Sequence, residues 1–117
     1  MNLLLVALGG AFGSVARYGV AAILHRPYAI FYINVFGSFL LGLIMVFLMR
    51  HVQESKSMQL LLGVGFCGGF TTFSTFSMEA WEMFAADKFT QAFTYIGASV
   101  VCSILGFGLG AYLAKTI

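Results

Sequence analysis

The chain has 117 residues, of which 61% are hydrophobic and only 9% are charged, and its formal net charge is +2. Because soluble domains carry about 25% charged residues, this composition excludes an ordinary soluble domain and predicts a membrane protein. The small net charge, without a basic run in the sequence, also argues against nucleic acid as a partner.

Four apolar segments follow one another, each close to the roughly 20 residues that a helix needs to cross a bilayer. The first ends at the stretch HRPY, where Pro27 disfavours helix in the residue before it. The second ends at the polar stretch RHVQESKS, and the short loops make consecutive helices antiparallel neighbours. The sequence therefore predicts one all-α transmembrane domain over residues 1–117, with helices at about 3–24, 30–49, 58–86 and 89–114.

Positive charge is balanced between the two ends of the predicted helices. Three basic residues lie on each side: Arg50, Lys56 and Lys115 on the side of the termini, and Arg17, Arg26 and Lys88 on or near the other. Because an excess of Lys and Arg on one side sets the orientation of a membrane protein, this balance predicts insertion both ways. We therefore expect an antiparallel, dual-topology homodimer, which supplies in trans the inverted symmetry that many transporters build within one chain.

Glycines are concentrated in the first and fourth segments. They are Gly9, Gly10 and Gly13 in the first and Gly106, Gly108 and Gly110 in the fourth. Small residues at such spacing are the usual packing surface between membrane helices, so we predict close backbone contacts there.

Polar side chains recur on one face of two apolar segments. Asn34 and Ser38 are four residues apart and share a face of the second helix, where an interhelical hydrogen bond and a functional contact both explain them. Tyr95, Ser99 and Ser103 continue the same spacing in the fourth segment, which gives a hydroxyl stripe about 12 Å long. Polar groups at membrane depth are costly and often functional, so the stripe favours a polar track.

The stretch GFCGGFTTFSTF, residues 65–76, interrupts the third segment. Its glycines weaken a helix, and its hydroxyl side chains can hydrogen-bond to freed backbone groups. We predict a third helix that is broken mid-membrane, which is tolerated only where the backbone is buried in protein or lines a cavity. At such a break, released carbonyls can bind a cation, whereas a helix N-terminus attracts an anion.

Three phenylalanines, Phe70, Phe73 and Phe76, recur at every third position of this stretch. A row at this spacing is most often core packing. The edge of an aromatic ring is electropositive, however, so rings presented edge-on can bind a small anion without a full charge that would trap it. The adjacent break and hydroxyl residues favour this second interpretation.

The sequence GFCGGFTTFSTFSMEAW, together with NVFGSFLLG at 34–42 and GGAFGSVARYG at 9–19, resembles the Fluc (CrcB) family of fluoride channels. The similarity covers essentially the whole chain, and the GGFTTFSTF block is its most specific part. The resemblance implies an antiparallel homodimer with two pores for passive fluoride export across the prokaryotic inner membrane. It implies no enzymatic activity.

The resemblance also implies roles for individual residues. Ring edges of Phe73 and Phe76 would line the pore, and Asn34 would contact the ion. Further hydroxyl groups along the pathway would be those of Ser74, Thr75, Tyr95, Ser99 and Ser103. Backbone carbonyls of Gly68 and Thr71 would hold a structural Na⁺ at the dimer centre, while Arg17 would lie near the pore entrance and Glu79 in the vestibule. Ile30 stands where the family often has threonine, so any hydroxyl contact there is absent.

The main alternative is a small proton-coupled multidrug exporter, which has a similar length and often a dual topology. That chemistry needs a carboxylate inside the membrane. The first, second and fourth segments contain none, and we expect Glu79 and Glu82 to be solvated near the end of the third. An enzyme is disfavoured because the sequence offers no nucleophile–base pair or metal-ligand cluster.

Overall fold

The computed structural model describes residues 1–24 and 28–117, and helices dominate both parts. The first and second helices are α1 (Asn2–Ile23) and α2 (Tyr28–His51), and the last is α6 (Phe89–Thr116). The third segment consists of α3 (Lys56–Met58), a π-helix (Gln59–Cys67), α4 (Gly68–Phe70) and α5 (Phe73–Ala85). The predicted end of the first helix at His25–Pro27 lies outside the described residues.

Four helical stretches of the described chain are long and apolar enough to cross a membrane. They are Asn2–Ile23, Tyr28–His51, Lys56–Ala85 and Phe89–Thr116. The all-α class and the number of spanning helices are thus confirmed, although the second and fourth helices extend beyond the predicted 30–49 and 89–114. Large apolar side chains cover much of the outer surface; Leu3, for example, is 87% exposed in the protomer. Such a surface suits contact with lipid tails or with another membrane helix.

The helical geometry of the third segment stops for two residues, Thr71 and Thr72, which we call the break. Thr71 (φ −83°, ψ 157°) and Thr72 (φ −149°, ψ 123°) are both extended, and α5 begins at Phe73. In a continuous α-helix the N–H of Thr72 would donate to the carbonyl of Gly68. The extended geometry prevents this bond, so the backbone groups on both sides of Thr71 and Thr72 must find other partners.

Glycines allow the helices to approach one another closely. A Cβ atom on Gly9 or Gly13 of α1 would collide with the backbone of the π-helix and α4, and one on Gly110 of α6 would meet Phe39 of α2. These contacts confirm the predicted packing role of the three residues. Gly108 differs, because a Cβ placed there would meet no atom of the described part of the chain within 4 Å.

The buried apolar cluster lies between the first half of α2, the region around the break, and the first half of α6. Its members are Ile30, Ile33, Phe70, Phe76, Ala80, Met83, Ala92 and Tyr95. Ile30 is only 3% exposed, so its side chain contributes to packing here. The cluster fixes the position of α5, and with it the residues that follow the break.

We predict that Gly13→Ala destabilises the protein whereas Gly19→Ala, in the same helix, does not. The new Cβ at position 13 would lie 2.8 Å from the backbone N of Phe70, whereas no atom of the described residues lies within 4 Å of a Cβ at position 19. Overpacking of this kind costs about 1–3 kcal/mol. Thermal unfolding in detergent, followed by Trp81 fluorescence, measures the effect, and equal melting temperatures for the two variants would contradict the packing scheme.

Candidate functional site

One side chain pairs with both backbone groups of Thr72. The Asn34 Nδ2 donates to the Thr72 carbonyl at 3.0 Å, and the Thr72 N–H donates to Asn34 Oδ1 at 2.8 Å. A carboxamide offers one donor and one acceptor side by side, which matches the N–H and C=O of a residue in extended conformation. Of the two explanations for Asn34 that the sequence left open, the interhelical hydrogen bond is therefore observed, and it fastens the break to α2.

The hydroxyl group of Thr72 caps the start of α5. Thr72 Oγ1 accepts a hydrogen bond from the N–H of Thr75 at 3.2 Å, and it lies 3.2 Å from Ser74 Oγ and 3.4 Å from Thr75 Oγ1. Capping by threonine pairs one of the first-turn N–H groups that a helix cannot bond internally. The hydroxyl run of the sequence therefore folds into a local cluster that begins a new helix directly after the break.

Arg17 of α1 binds the carbonyl end of the break. Its Nη1 donates to the carbonyl of Gly69 at 2.7 Å and contacts that of Thr71 at 3.3 Å. Both a cation and additional donors are favourable where a helix ends and its last carbonyls lack partners. The structure thus places the half-buried Arg17 beside the backbone of the break.

A cavity of about 280 Å³ opens beside the break. Its wall combines residues of α2, the break, α5 and α6: Asn34, Ser38, Thr71, Thr72, Phe73, Phe76, Ser99, Val100, Ser103 and Ile104. Five residues proposed from the sequence for one pathway thus meet around one cavity, namely Asn34, Phe73, Phe76, Ser99 and Ser103. The lining also includes Ser38, which its spacing from Asn34 could have indicated, and the apolar Val100 and Ile104, for which the sequence carries no signal.

The Ser99 hydroxyl is buried without a hydrogen-bond partner among the described residues. The residue is 5% exposed and lines the cavity. A buried polar group without a partner costs about 1–3 kcal/mol, so native structures usually pair such a group with protein, water or an ion. The hydroxyl is therefore available to an occupant of the cavity.

The two phenylalanines at the cavity differ in exposure. Phe76 is 7% exposed, whereas Phe73 is 75% exposed in the protomer. Their ring centroids are 5.4 Å apart, and the Tyr95 ring lies 5.3 Å from Phe76. The aromatic row thus runs from the surface of the protomer into its core.

Tyr95 is separated from the two serines of the predicted stripe. Its hydroxyl donates to Glu79 Oε1 at 2.8 Å, and the residue lines a second cavity of about 390 Å³ rather than the first. Glu79 itself is 3% exposed, so the expectation that this carboxyl is solvated was wrong. The sequence places Glu79 near the end of the third segment, but it does not show that α6 packs against that turn of the helix and buries the side chain.

The two carbonyls that the resemblance assigns to Na⁺ differ in their surroundings. Because the Thr72 N–H bonds to Asn34, the Gly68 carbonyl has lost its helical donor, and Gly68 lies exposed on the protomer surface. Carbonyl oxygen is the ligand type that a hard monovalent cation prefers. The Thr71 carbonyl, in contrast, already lies 3.3 Å from the Arg17 guanidinium, so a cation there would share its ligand with a positive side chain.

Four helices are long and apolar enough to span a membrane, and one of them is interrupted beside a cavity, which together indicate an integral membrane protein. The family described as "CrcB-like protein, Camphor Resistance (CrcB)" matches residues 4–111. A protein of Caulobacter sp. (strain K31) named fluoride-specific ion channel FluC is 45% identical to the chain, over 99% of this chain and 96% of its own length. The proteins of the same name from Hahella chejuensis and, as FluC 1, from Listeria innocua are each 37% identical over nearly their whole lengths. The chain belongs to the CrcB family, and the resemblance found in the sequence is confirmed.

We predict that Asn34→Ala lowers the stability of the protein much more than Ser38→Ala, four residues along the same face. Removing the carboxamide leaves both the N–H and the C=O of Thr72 without partners, at about 1–3 kcal/mol for each buried group. Thermal unfolding of the purified variants compares the two effects. If both alanine variants melt together, Asn34 does not hold the break.

Proposed function

We propose that the protein is a fluoride channel that lets the ion leave the cell passively, down its gradient. The observation that carries this proposal is the cavity beside the break, which combines the buried Ser99 hydroxyl with Asn34 and the Phe76 ring. The names of the relatives, which are fluoride-specific ion channels, support the same ion. The family consists of ion channels, and the chain is not an enzyme.

The lining suits a small, strongly hydrated anion. Hydroxyl and amide donors can replace the water that fluoride loses, and electropositive ring edges add weak attraction. Among the described residues that line the cavity, none carries a positive charge. Conduction requires binding that is strong enough for entry and weak enough for release, and neutral donors meet both requirements.

We also propose an antiparallel homodimer with two pores. Support comes from the balanced basic residues of the sequence and from the 75% exposure of Phe73 at the mouth of the cavity. A second copy packed over this face would cover the ring and complete the wall of the pathway. As part of this proposal, Ser74, Thr75 and Tyr95 would contribute hydroxyl groups beside the route, Arg17 would lie near its entrance and Glu79 in its vestibule.

A structural Na⁺ at the dimer centre is a further part of this proposal. The backbone carbonyls of Gly68 and Thr71 from both copies would hold it, and the cation would tie the two breaks together. The exposure of Gly68 and the missing helical donor of its carbonyl support such a shared site. The membrane is proposed to be the prokaryotic inner membrane, because the named relatives come from bacteria.

The proton-coupled exporter is the less favoured alternative, because the named relatives are fluoride-specific ion channels. One observation would suit it: the buried Glu79 carboxyl within a spanning segment. This carboxyl accepts a hydrogen bond from Tyr95 and is not part of the first cavity. Purified protein in liposomes separates the two functions. Fluoride efflux detected with an electrode supports the channel, whereas retained fluoride together with proton-driven uptake of a cationic drug supports the exporter.

We predict that Phe76→Ile reduces fluoride efflux by roughly tenfold or more, because isoleucine keeps the bulk of the side chain but lacks the electropositive edge. Phe73→Ile should act similarly. Phe93→Ile is the matched control, since this ring lies on α6 outside the cavity lining. Efflux from liposomes at equal protein density, after gel filtration has verified assembly, provides the comparison. Normal efflux through a well-assembled Phe76→Ile protein would reduce the ring to a packing role.

We predict that two or three lysines added at the C-terminus and in the loop between α2 and α3 place almost all copies in one orientation. If the functional unit is antiparallel, this variant should be inactive alone. Co-expression with a variant biased the other way, through lysines near Arg26 and Lys88, should restore efflux. Labelling of single cysteines in each loop verifies the orientations, and full efflux by one biased variant alone would rule out the antiparallel pair.

A further inference from the structure

Among the described residues, two backbone N–H groups in the first turn of α5 have no acceptor. The helix has 13 residues and begins at Phe73. In a continuous helix, Phe73 and Ser74 would donate to the carbonyls of Gly69 and Phe70, but the extended Thr71 and Thr72 prevent this. Within residues 1–24 and 28–117, the structure shows no other acceptor for either N–H.

The partners of the break leave these two groups unused. Asn34 accepts from the N–H of Thr72, and the Thr72 hydroxyl accepts from that of Thr75. The N–H groups of Phe73 and Ser74 lie between these two in the sequence, and neither Asn34 nor the Thr72 hydroxyl accepts from them. Because Thr72 and Phe73 line the first cavity, this uncapped part of the turn begins at the cavity wall.

An independent observation on α6 points to the same space. The Ser99 hydroxyl lines the cavity, is buried in a residue that is 5% exposed, and has no partner among the described residues. Donors that lack acceptors therefore occur on two different helices beside one cavity. This arrangement is what an acceptor bound between them would require.

The two ends of the break also differ in electrostatic character. The carbonyl end of the first half is bound by the positively charged Arg17. The amide end, at α5, carries the partial positive charge of a helix N-terminus, which favours an anion. The positively charged Arg17 side chain thus binds the carbonyls, whereas the donors of the described residues that line the cavity are neutral.

We propose that the N–H groups of Phe73 and Ser74, together with the Ser99 hydroxyl, form a backbone anion site at the N-terminus of α5. This inference rests on the proposed fluoride channel and assigns to the main chain a part of ion binding beyond the side chains of the lining. It also gives the break a second purpose: the interruption creates a helix N-terminus at membrane depth, where the dipole acts on the ion.

Removal of a single N–H group tests the site. Ser74→Pro eliminates the N–H of residue 74, in the first turn of the helix, where proline is tolerated. This variant also loses the serine hydroxyl. Ser74→Ala is the control, because it loses the hydroxyl but keeps the N–H. A hydrogen bond to a charged partner is typically worth 1.5–3 kcal/mol, that is, about tenfold or more in binding. We expect fluoride efflux from liposomes by Ser74→Pro to fall at least roughly tenfold below that of Ser74→Ala.

A backbone ester gives a second, independent measurement if the proline variant assembles poorly. The hydroxy-acid analogue of serine, incorporated at position 74 of the full chain, replaces the N–H by oxygen, and the same change at the exposed Met78 is the control. The inference requires reduced efflux for the ester at 74 and normal efflux for the ester at 78. Normal efflux with the ester at 74 overturns the backbone site and leaves the channel intact, whereas a wild-type protein without fluoride efflux overturns both.

Discussion

An unpaired backbone N–H or C=O costs several kcal/mol in a hydrocarbon environment, and this constraint governs the third segment. Its interruption at Thr71 and Thr72 survives because several of the freed groups near it receive a specific partner. Asn34 takes both backbone groups of Thr72, and Arg17 takes the carbonyls of Gly69 and Thr71. The cavity, the start of α5 and the aromatic row all depend on this small set of hydrogen bonds.

The same hydrogen bonds separate opposite charges over a short distance. Arg17 of α1 donates to the carbonyl end of the break. Residues of α2 and α6 line the cavity at the other end, where the N–H groups of α5 begin. If the ion path runs through that cavity, fluoride meets neutral donors there rather than a guanidinium group. A site of this kind can replace the hydration of a small anion without trapping it, which links the local geometry to passive conduction.

Much of this arrangement could be predicted from local sequence patterns, because helix periodicity and apolar length act over neighbouring residues. The patterns indicated four spanning helices and the cavity residues Asn34, Phe76 and Ser99. They could not indicate that Asn34 pairs with Thr72, 38 residues away, or that Arg17 reaches Thr71, 54 residues away. Periodicity places Tyr95, Ser99 and Ser103 on one helix face, but the packing of α5 decides that Tyr95 turns to Glu79 instead of the first cavity. The burial of Glu79 depends on the same packing.

We propose that neutral donors beside a helix break select and conduct fluoride. The most direct test is a paired measurement of fluoride and chloride efflux from liposomes that contain only the purified wild-type chain, each ion followed with its own electrode. We expect rapid fluoride efflux without a proton gradient, and chloride efflux no faster than from protein-free liposomes. Equal efflux of both anions, or fluoride efflux only when protons are driven across the membrane, would contradict it.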